Sequence, residues 1–316
     1  MTSISPLPKK FLEKLPDIYP HENIDAIIDS FTKQHPVSLR INTIKTTVAE
    51  IKDVCEAHSF HLIPITWYPN AFMLDEKTSS LTSLQEYLDG KIYIQGLSSM
   101  IPSLILDPRE EDTVLDIAAA PGSKTTQIAE LMHNKGKIFA NDISRERLFK
   151  LKAVLLQQGV TNVEVMNIAG EKIWQELPNF FDKVLVDAPC SMEGRFSAHS
   201  PKSYNHWSSK KVQELSHRQQ YLLWSAVSST KNGGTIVYST CTISPEENEE
   251  VVDWVIKKAE GAVVIEDITL SDTPLTPGLV QYKNKSYDPS LSKTKRIIPQ
   301  ENYEGFYIAK LKKVSK

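Results

Sequence analysis

The stretch whose reading decides the fold is TVLDIAAAPGSKTTQIAELMHNKGKIFAND, Thr113 to Asp142. Val114 to Ile117 form a short apolar run that reads as a buried strand. Ala118, Ala119, Ala120, Pro121, Gly122, Ser123 and Lys124 make a small-residue loop, after which Ile128, Ala129, Leu131 and Met132 recur at helical spacing. Asn134 to Gly136 stop that helix, and Lys137 to Ala140 begin a second strand that ends on Asp142. This acid lies about twenty residues past the turn glycine, the offset at which a carboxylate grips ribose hydroxyls. Strand, turn, helix, strand and acid together suit a nucleoside cofactor.

The loop argues against phosphate. A dinucleotide site needs G-x-G-x-x-G so that backbone can approach pyrophosphate at several points, and here Gly122 stands alone. A P-loop needs G-x-x-x-x-G-K-[ST]; Gly122-Ser123-Lys124-Thr125 puts an extra residue between Gly and Lys and has no upstream glycine. Three alanines beside the turn suit S-adenosylmethionine, which carries no phosphate. A tight turn between core elements stays open on these residues alone.

The chain of 316 residues suffices for one sizeable core and a smaller second module. Its 41% hydrophobic and 24% charged residues are those of an ordinary globular protein, and no apolar run approaches the length of a membrane span. The first residues lack an apolar signal core. Three cysteines, Cys55, Cys190 and Cys241, are too few for a disulfide framework, so a reducing, cytoplasmic setting with free thiols is expected. Net charge is −3, so any nucleic-acid binding must rest on local patches. Residues 283–316 offer one, with nine lysines and arginines against three acids.

Residues 1–88 read as a separate small α/β module. Phe11 to Phe31 suggest helices broken near Pro16 and Pro20. Val37 to Ile44 alternate like a half-buried strand, Val48 to Ala57 are helical, and Leu62 to Trp67 and Phe72 to Leu74 are further strands. Arg40 and Asn42 project from the first strand, where they serve either RNA contact or packing. From residue 89 to 316 the strand–helix rhythm continues. Ile92 to Ile105 read as a strand leading into a helix that docks on the cofactor unit. Strands follow at Val163–Met166, Lys183–Val186, Thr235–Ser239, Val263–Glu266 and Gly305–Leu311, with helices over Arg145–Gln158 and Trp207–Ser229. Ser244-Pro245-Glu246-Glu247 reads as a capping box that launches another helix. This alternation predicts a parallel, doubly wound sheet that binds ligands at the carboxyl ends of its strands.

Two cysteines fall where that fold places active sites. Cys190 follows one strand in Asp187-Ala188-Pro189-Cys190-Ser191, and Cys241 follows the next in Ser239-Thr240-Cys241-Thr242. Free cysteine is commonly core, the reading retained for Cys55. A pair at two strand ends, one of them beside an aspartate, points to chemistry.

AAAPGSKT, DAPCS and YSTCTISPEENE, in this order and spacing, resemble the Nop/Sun family of RNA cytosine-C5 methyltransferases, and within it the bacterial ribosomal-RNA branch. LRINT at Leu39–Thr43, YIQGLSSM at Tyr93–Met100 and EGFYIAKL at Glu304–Leu311 extend the resemblance over nearly the whole chain. It implies a Rossmann-like S-adenosylmethionine-dependent methyltransferase sheet at 89–316, with a small N-terminal α/β RNA-binding module before it. It also implies ribosomal RNA as substrate, no metal and a monomer; the alternatives are transfer RNA as substrate, or a catalytically weak RNA-binding protein of the same fold. Carbon 5 of cytosine is too poor a nucleophile to take a methyl group unaided, so a thiolate first adds to carbon 6. A Pro-Cys pair, as in DNA cytosine enzymes, would make Cys190 that thiolate. The Nop/Sun resemblance makes it Cys241, with Cys190 assisting proton removal and product release.

By the same resemblance Ala118 to Lys124 wrap the cofactor, Lys124 is directed toward the target base or Asp187, Asp142 takes the ribose, Arg147 contributes from the next helix, and Asp187 engages the base. Tyr204, His206 and Trp207 are candidates for base stacking, with packing the expected role of Trp207. The chain departs from the family pattern twice. Ala169 stands where an aspartate is usual, and Met192 where a glycine usually follows DAPCS. Substrate selection is expected to fall on residues 1–88 and the basic tail.

Overall fold

The apolar runs around the alanine-rich loop become neighbouring parallel strands because helices cover both of their faces, which leaves no side of the strand for water. The computed structural model describes residues 6–75 and 81–315. Helices α1 (Lys9–Ile18) and α2 (Ile24–Ser30) come first. A small antiparallel sheet follows, built from β1 (Ser38–Ile41), β2 (Leu62–Pro64), β3 (Ala71–Leu74) and β4 (Ile92–Ile94) in the order β2-β3-β1-β4. Helix α3 (Val48–Ala57) packs on it through Ile51 and Cys55, and α4 (Gln85–Leu88) leads into β4. The start of α3 is fixed by a reciprocal cap: Thr47 accepts from the Glu50 amide while Glu50 accepts from the Thr47 amide.

The large sheet begins after α5 (Leu97–Leu106). Its parallel strands are β5 (Thr113–Asp116), β6 (Lys137–Asn141), β7 (Val163–Met166), β8 (Phe181–Asp187) and β9 (Thr230–Thr240). Between them lie α6 (Ser123–Leu131), α7 (Arg145–Gln157), α8 (Ile173–Glu176) and α9 (Ser209–Ser229). Beyond β9 come α10 (Glu249–Ala259), β10 (Val263–Glu266), β11 (Leu275–Pro277), the hairpin β12 (Gln281–Tyr282) and β13 (Lys285–Ser286), β14 (Lys295–Ile297) and β15 (Phe306–Lys313). Strand order is β11-β14-β15-β9-β8-β5-β6-β7; β15 is antiparallel to β9 and also pairs β10. The order reverses beside β5, which has β6 on one side and β8 on the other. Such a reversal opens a crevice at the carboxyl ends of the strands.

Several local expectations change. Helix α1 runs through Pro16 and stops only before Pro20. Its Phe11, Leu15 and Ile18 are buried in the core of the large sheet, and that packing outweighs the backbone hydrogen bond proline removes. The segment 1–88, expected as one separate module, therefore contributes to two cores: α1 and α2 to the large sheet, and β1 to β3 with α3 to the small one. Strand β4, expected at the start of the catalytic segment, is hydrogen-bonded to β1 in the small sheet. Strand β1 is buried at every position, not alternately, because its second face meets α6 rather than water.

That second face also decides the roles of Arg40 and Asn42, which bind the two units together instead of facing RNA. Arg40 is wholly buried, pairs with Glu130 of α6, donates to Thr126 Oγ1 at 2.9 Å and lies over the Tyr93 ring. Tyr68 and Asn70 donate to the other oxygen of Glu130. Asn42 donates to the carbonyls of Gly90 and Gln158, at 2.8 Å each. The basic tail is likewise largely spent on internal pairs. Arg296 is buried against Glu249, Lys285 reaches Glu250 at 2.9 Å, and Lys310 and Lys293 stand 3.5 and 3.6 Å from Glu266 and Asp267. Lys316 lies outside the described residues. Among the described residues no helix is long and apolar enough to cross a membrane.

Removing one partner of a buried pair strands the other. Arg40→Met is expected to lower the unfolding free energy by about 3 kcal/mol, and the double variant R40M/E130L to recover most of that loss. Urea unfolding of the three proteins measures both.

Candidate active site

The loop after β5 is shaped by a residue with no side chain. Gly122 sits at φ +117°, and a Cβ there would stand 2.9 Å from Leu151 Cδ1 on α7. Helix α6 thus starts tight against α7, and Lys124 is carried inward on its first turn. Lys124 Nζ, buried, donates to Asp187 Oδ2 at 2.7 Å and to Ser99 Oγ at 2.9 Å. Asp187 ends β8, and its second oxygen accepts from Ser239 Oγ at 2.8 Å. Ser239 is the residue paired with Asp187 across the β8–β9 ladder.

The same ladder brings the thiols together. Cys190 lies three residues past Asp187 and Cys241 two past Ser239, and their sulfurs are 3.3 Å apart, with both cysteines free. The Cys190 thiol is pushed well above the usual thiol range, first by its hydrogen bond with the Cys241 sulfur and then by burial. The loop that carries Cys190 is held from behind by two buried glutamates. Glu247 accepts from the Ser191 amide at 3.0 Å, from the Ser191 hydroxyl, and from Gln219 Nε2 at 2.8 Å. Burial, followed by the nearby Glu193, pushes Glu247 up to about 7. Glu193 accepts from Thr242 Oγ1 at 3.0 Å, Ser244 Oγ at 2.9 Å, Trp207 Nε1 at 2.8 Å and Lys14 Nζ of α1.

These contacts correct the expectations for Ser244 to Glu247 and for Tyr204, and give Trp207 the packing role expected of it. Ser244 and Glu247 form no capping box; their side chains brace the cysteine loop, Pro245–Glu247 make a single 3-10 turn, and α10 begins at Glu249. Trp207 is tied to Glu193 and packs edge-on against Phe11 and Phe196, and Tyr204 packs on Phe196. Of the three stacking candidates only His206 is exposed.

Met192 adopts φ +60° and leaves its side chain 46% exposed. Left-handed backbone costs an ordinary residue roughly 1–2 kcal/mol, and glycine adopts it freely. Gly194, one turn on, packs its backbone so closely on Gly305 that a Cβ would lie 1.9 Å from the Gly305 carbonyl oxygen.

At the other end of the crevice, Asp142 is buried after β6. Its Oδ1 accepts from the Ser144 amide at 2.9 Å, and Arg147 Nη1 stands 3.0 Å from Oδ2. Arg147 also donates to the Ala120 carbonyl, joining acid and alanine loop. A carboxylate has about four acceptor positions, so Asp142 keeps capacity for hydroxyl donors. That donor set, with a loop that offers no phosphate cradle, fits the nucleoside of S-adenosylmethionine. Asn141 ties the carbonyls of Ile117 and Ile168 together at 3.0 Å each, beside Ala169.

Lys124 therefore meets Asp187, and Cys190 meets Cys241, at the ends of β8 and β9, while Arg147 joins Asp142 to the alanine loop at Ala120. Sequence reasoning missed Asp116, Ser99, Ser239, Glu193, Glu247 and Arg195. Asp116 had a legible signal, since it is the charged residue closing the apolar run of β5. It is fully buried and accepts from Thr125 Oγ1 at 2.7 Å, while Oδ1 has no hydrogen-bond partner. Burial, then the neighbouring Asp187, pushes it up to about 7 against the donor Thr125.

The Rossmann-like sheet, with its polar cluster at the strand ends, is the fold of solved methyltransferases. The chain matches the solved methyltransferase homolog protein from Pyrococcus horikoshii with a TM-score of 0.83 and 30% identity, covering 98% of this chain and all of that one. It belongs to the family of 16S rRNA methyltransferase RsmB/F, whose model matches residues 103–312. The model for the N-terminal domain of 16S rRNA methyltransferase RsmF matches residues 7–96. A tRNA (cytosine(49)-C(5))-methyltransferase of Pyrococcus abyssi is 41% identical over 87% of this chain and 88% of its own. Ribosomal RNA small subunit methyltransferase F of Pectobacterium carotovorum is 35% identical over 98% of this chain, which spans only 63% of that relative.

Asp116 gives the site a pH signature. Its folded pKa lies above its unfolded one, so the stability it contributes is complete below about pH 4 and lost as pH rises through about 7. Asp116→Asn lacks that loss. Unfolding free energies of the two proteins at pH 4 and pH 8 should diverge, with the variant gaining about 2–4 kcal/mol on wild type at the higher pH.

Proposed function

We propose that this protein is an RNA (cytosine-5)-methyltransferase that acts on ribosomal RNA through a covalent cysteine adduct. The observation that carries the reading is the contact of two free thiols at 3.3 Å beside an aspartate fixed by lysine and serine. A site for one attacking sulfur needs one cysteine; a second in contact with it provides a base at the same ring edge.

S-adenosylmethionine, held by Ala118 to Lys124, Asp142 and Arg147, supplies an electrophilic methyl carbon. The target cytosine must leave its stack to reach the crevice, at a cost of a few kcal/mol. A proton donated to ring nitrogen 3 through Asp187, which Lys124 and Ser239 orient, draws electron density from the ring. The Cys241 thiolate forms a bond to carbon 6, and the displaced C5–C6 electron pair makes carbon 5 the nucleophile that takes the methyl group as the methyl–sulfonium bond breaks and its electron pair stays on the departing thioether sulfur. Cys190 then removes the carbon-5 proton; the C5–C6 double bond re-forms and Cys241 leaves as thiolate. The two sulfurs exchange roles naturally. Bonding of Cys241 to carbon 6 ends the hydrogen bond that most strongly holds the proton on Cys190; that proton passes to solvent and leaves Cys190 a thiolate able to take the carbon-5 proton.

Residues 1–88 serve as the RNA-positioning module. Arg40 and Asn42 lock the small sheet to the catalytic core, so its remaining surface is presented at a fixed angle to the crevice. Both family matches carry ribosomal RNA names, which favours that substrate. Transfer RNA is the second reading, favoured by the archaeal relative that matches over most of its own length.

Tritiated methyl incorporation into total RNA from cells lacking the protein separates these readings. Label in small-subunit ribosomal RNA supports the first, label in transfer RNA the second, and no label in either removes the enzyme reading. On the RNA that accepts label, Cys241→Ala is expected to abolish transfer. Cys190→Ala should accumulate a protein–RNA adduct stable in denaturing gels; the reverse pattern would exchange the two sulfur roles.

A further inference from the structure

A thiol with an ordinary pKa near ~8.5 is mostly protonated at neutral pH and needs a neighbouring cation to act as thiolate. Two cations belong to the charged groups gathered at these strand ends. Lys124 is committed to Asp187 and Ser99. The other is Arg195, which neither the alanine-rich loop nor the cysteine motifs include.

Arg195 closes the 3-10 turn Glu193–Arg195 that follows the Cys190 loop. The middle residue of that turn, Gly194, donates its amide to the Cys241 carbonyl at 3.0 Å and accepts from the Gly305 amide at 3.1 Å. The turn is thus pinned to the backbone of Cys241 itself. Arg195 Nε donates to Glu304 Oε2 at 2.7 Å, using one of five guanidinium N–H donors, and both side chains are only partly exposed. Burial works against its charge, but Glu304, then Cys241 and Asp187, hold the guanidinium more firmly protonated than usual. The other charged or titratable groups around Cys241 are Cys190 and Asp187 at the end of β8, Lys124 from α6, and Glu193 and Glu247 behind Thr242 and Ser191.

We propose that Arg195 is a positioning residue that favours the Cys241 thiolate, and that Glu304 tunes it by drawing on the same guanidinium. The inference rests on Cys241 being the attacking sulfur, and assigns the source of its reactivity to a turn that ends four residues past the cysteine motif Asp187–Ser191.

Alkylation with iodoacetamide tests it without RNA or methyl donor. The Cys241 sulfur attacks the iodomethyl carbon and iodide leaves, so the rate follows the thiolate fraction. The full chain is labelled between pH 6 and 9, and the Cys241 peptide is quantified by mass spectrometry, separately from Cys190. Arg195→Met should slow labelling at pH 7 about tenfold and raise its pH midpoint by about one unit. Arg195→Lys should stay near wild type. Glu304→Gln should move the opposite way, about threefold faster with a lower midpoint, since it removes a competing anion. A merely structural Arg195–Glu304 pair predicts the same direction for both losses, and that result overturns the proposal, as does a midpoint unmoved in R195M or an R195K protein that behaves like R195M. Should R195M fail to fold, E304Q decides alone: acceleration supports the proposal, and slowing or no change overturns it. Failure here with normal C241A and C190A behaviour leaves the RNA-methyltransferase reading standing.

Discussion

The in-register parallel pairing of β8 with β9 is the constraint on which the site depends. It sets Asp187 beside Ser239 and lets the two chains leave the sheet at the same level, so that cysteines 51 positions apart in sequence arrive in contact. A slip of one residue would send every side chain of one strand to the opposite face. Asp187 would lose Ser239, and the sulfurs would part. Burial enforces the register, because Val184, Leu185 and Val186 on one strand and Ile236, Val237 and Tyr238 on the other are all inaccessible to water.

Around that ladder the protein buries several charges against partners. Glu193 and Glu247 lie under the cysteine loop, Glu130 takes Arg40 from the small sheet, and Glu249 takes Arg296 from the region expected to be a basic patch. Taking an ion out of water is costly enough that such groups survive only with several hydrogen bonds each. They specify geometry more than they add stability. Lys14 carries this logic furthest, because it extends from α1 to Glu193 and so makes the first helix of the chain part of the scaffold under Cys190.

The loop Cys190–Arg195 concentrates these demands. Met192 accepts a left-handed backbone, Gly194 passes against Gly305 with no room for a side chain, and Arg195 turns back to Glu304. A glycine at position 192 would relieve the backbone. Methionine keeps an exposed apolar side chain there instead, which distinguishes this chain from the pattern it resembles.

Local patterning determined much of this protein. The alanine-rich turn, the acid at Asp142, the succession of parallel strands and the placement of both cysteines at strand ends follow from apolar runs and turn residues, because strand period and turn chemistry act over a few neighbouring positions. Contacts between distant segments were not legible. Nothing near Arg40 in sequence announces Glu130, nothing in residues 283–316 tells which lysines are neutralised, and Ser244 to Glu247 carry every mark of a helix cap while serving as props for another loop. Whether a charge faces water, a ligand or a buried partner depends on what the folded chain sets opposite it. Tertiary structure alone supplied that answer for Glu193, Glu247 and Arg195.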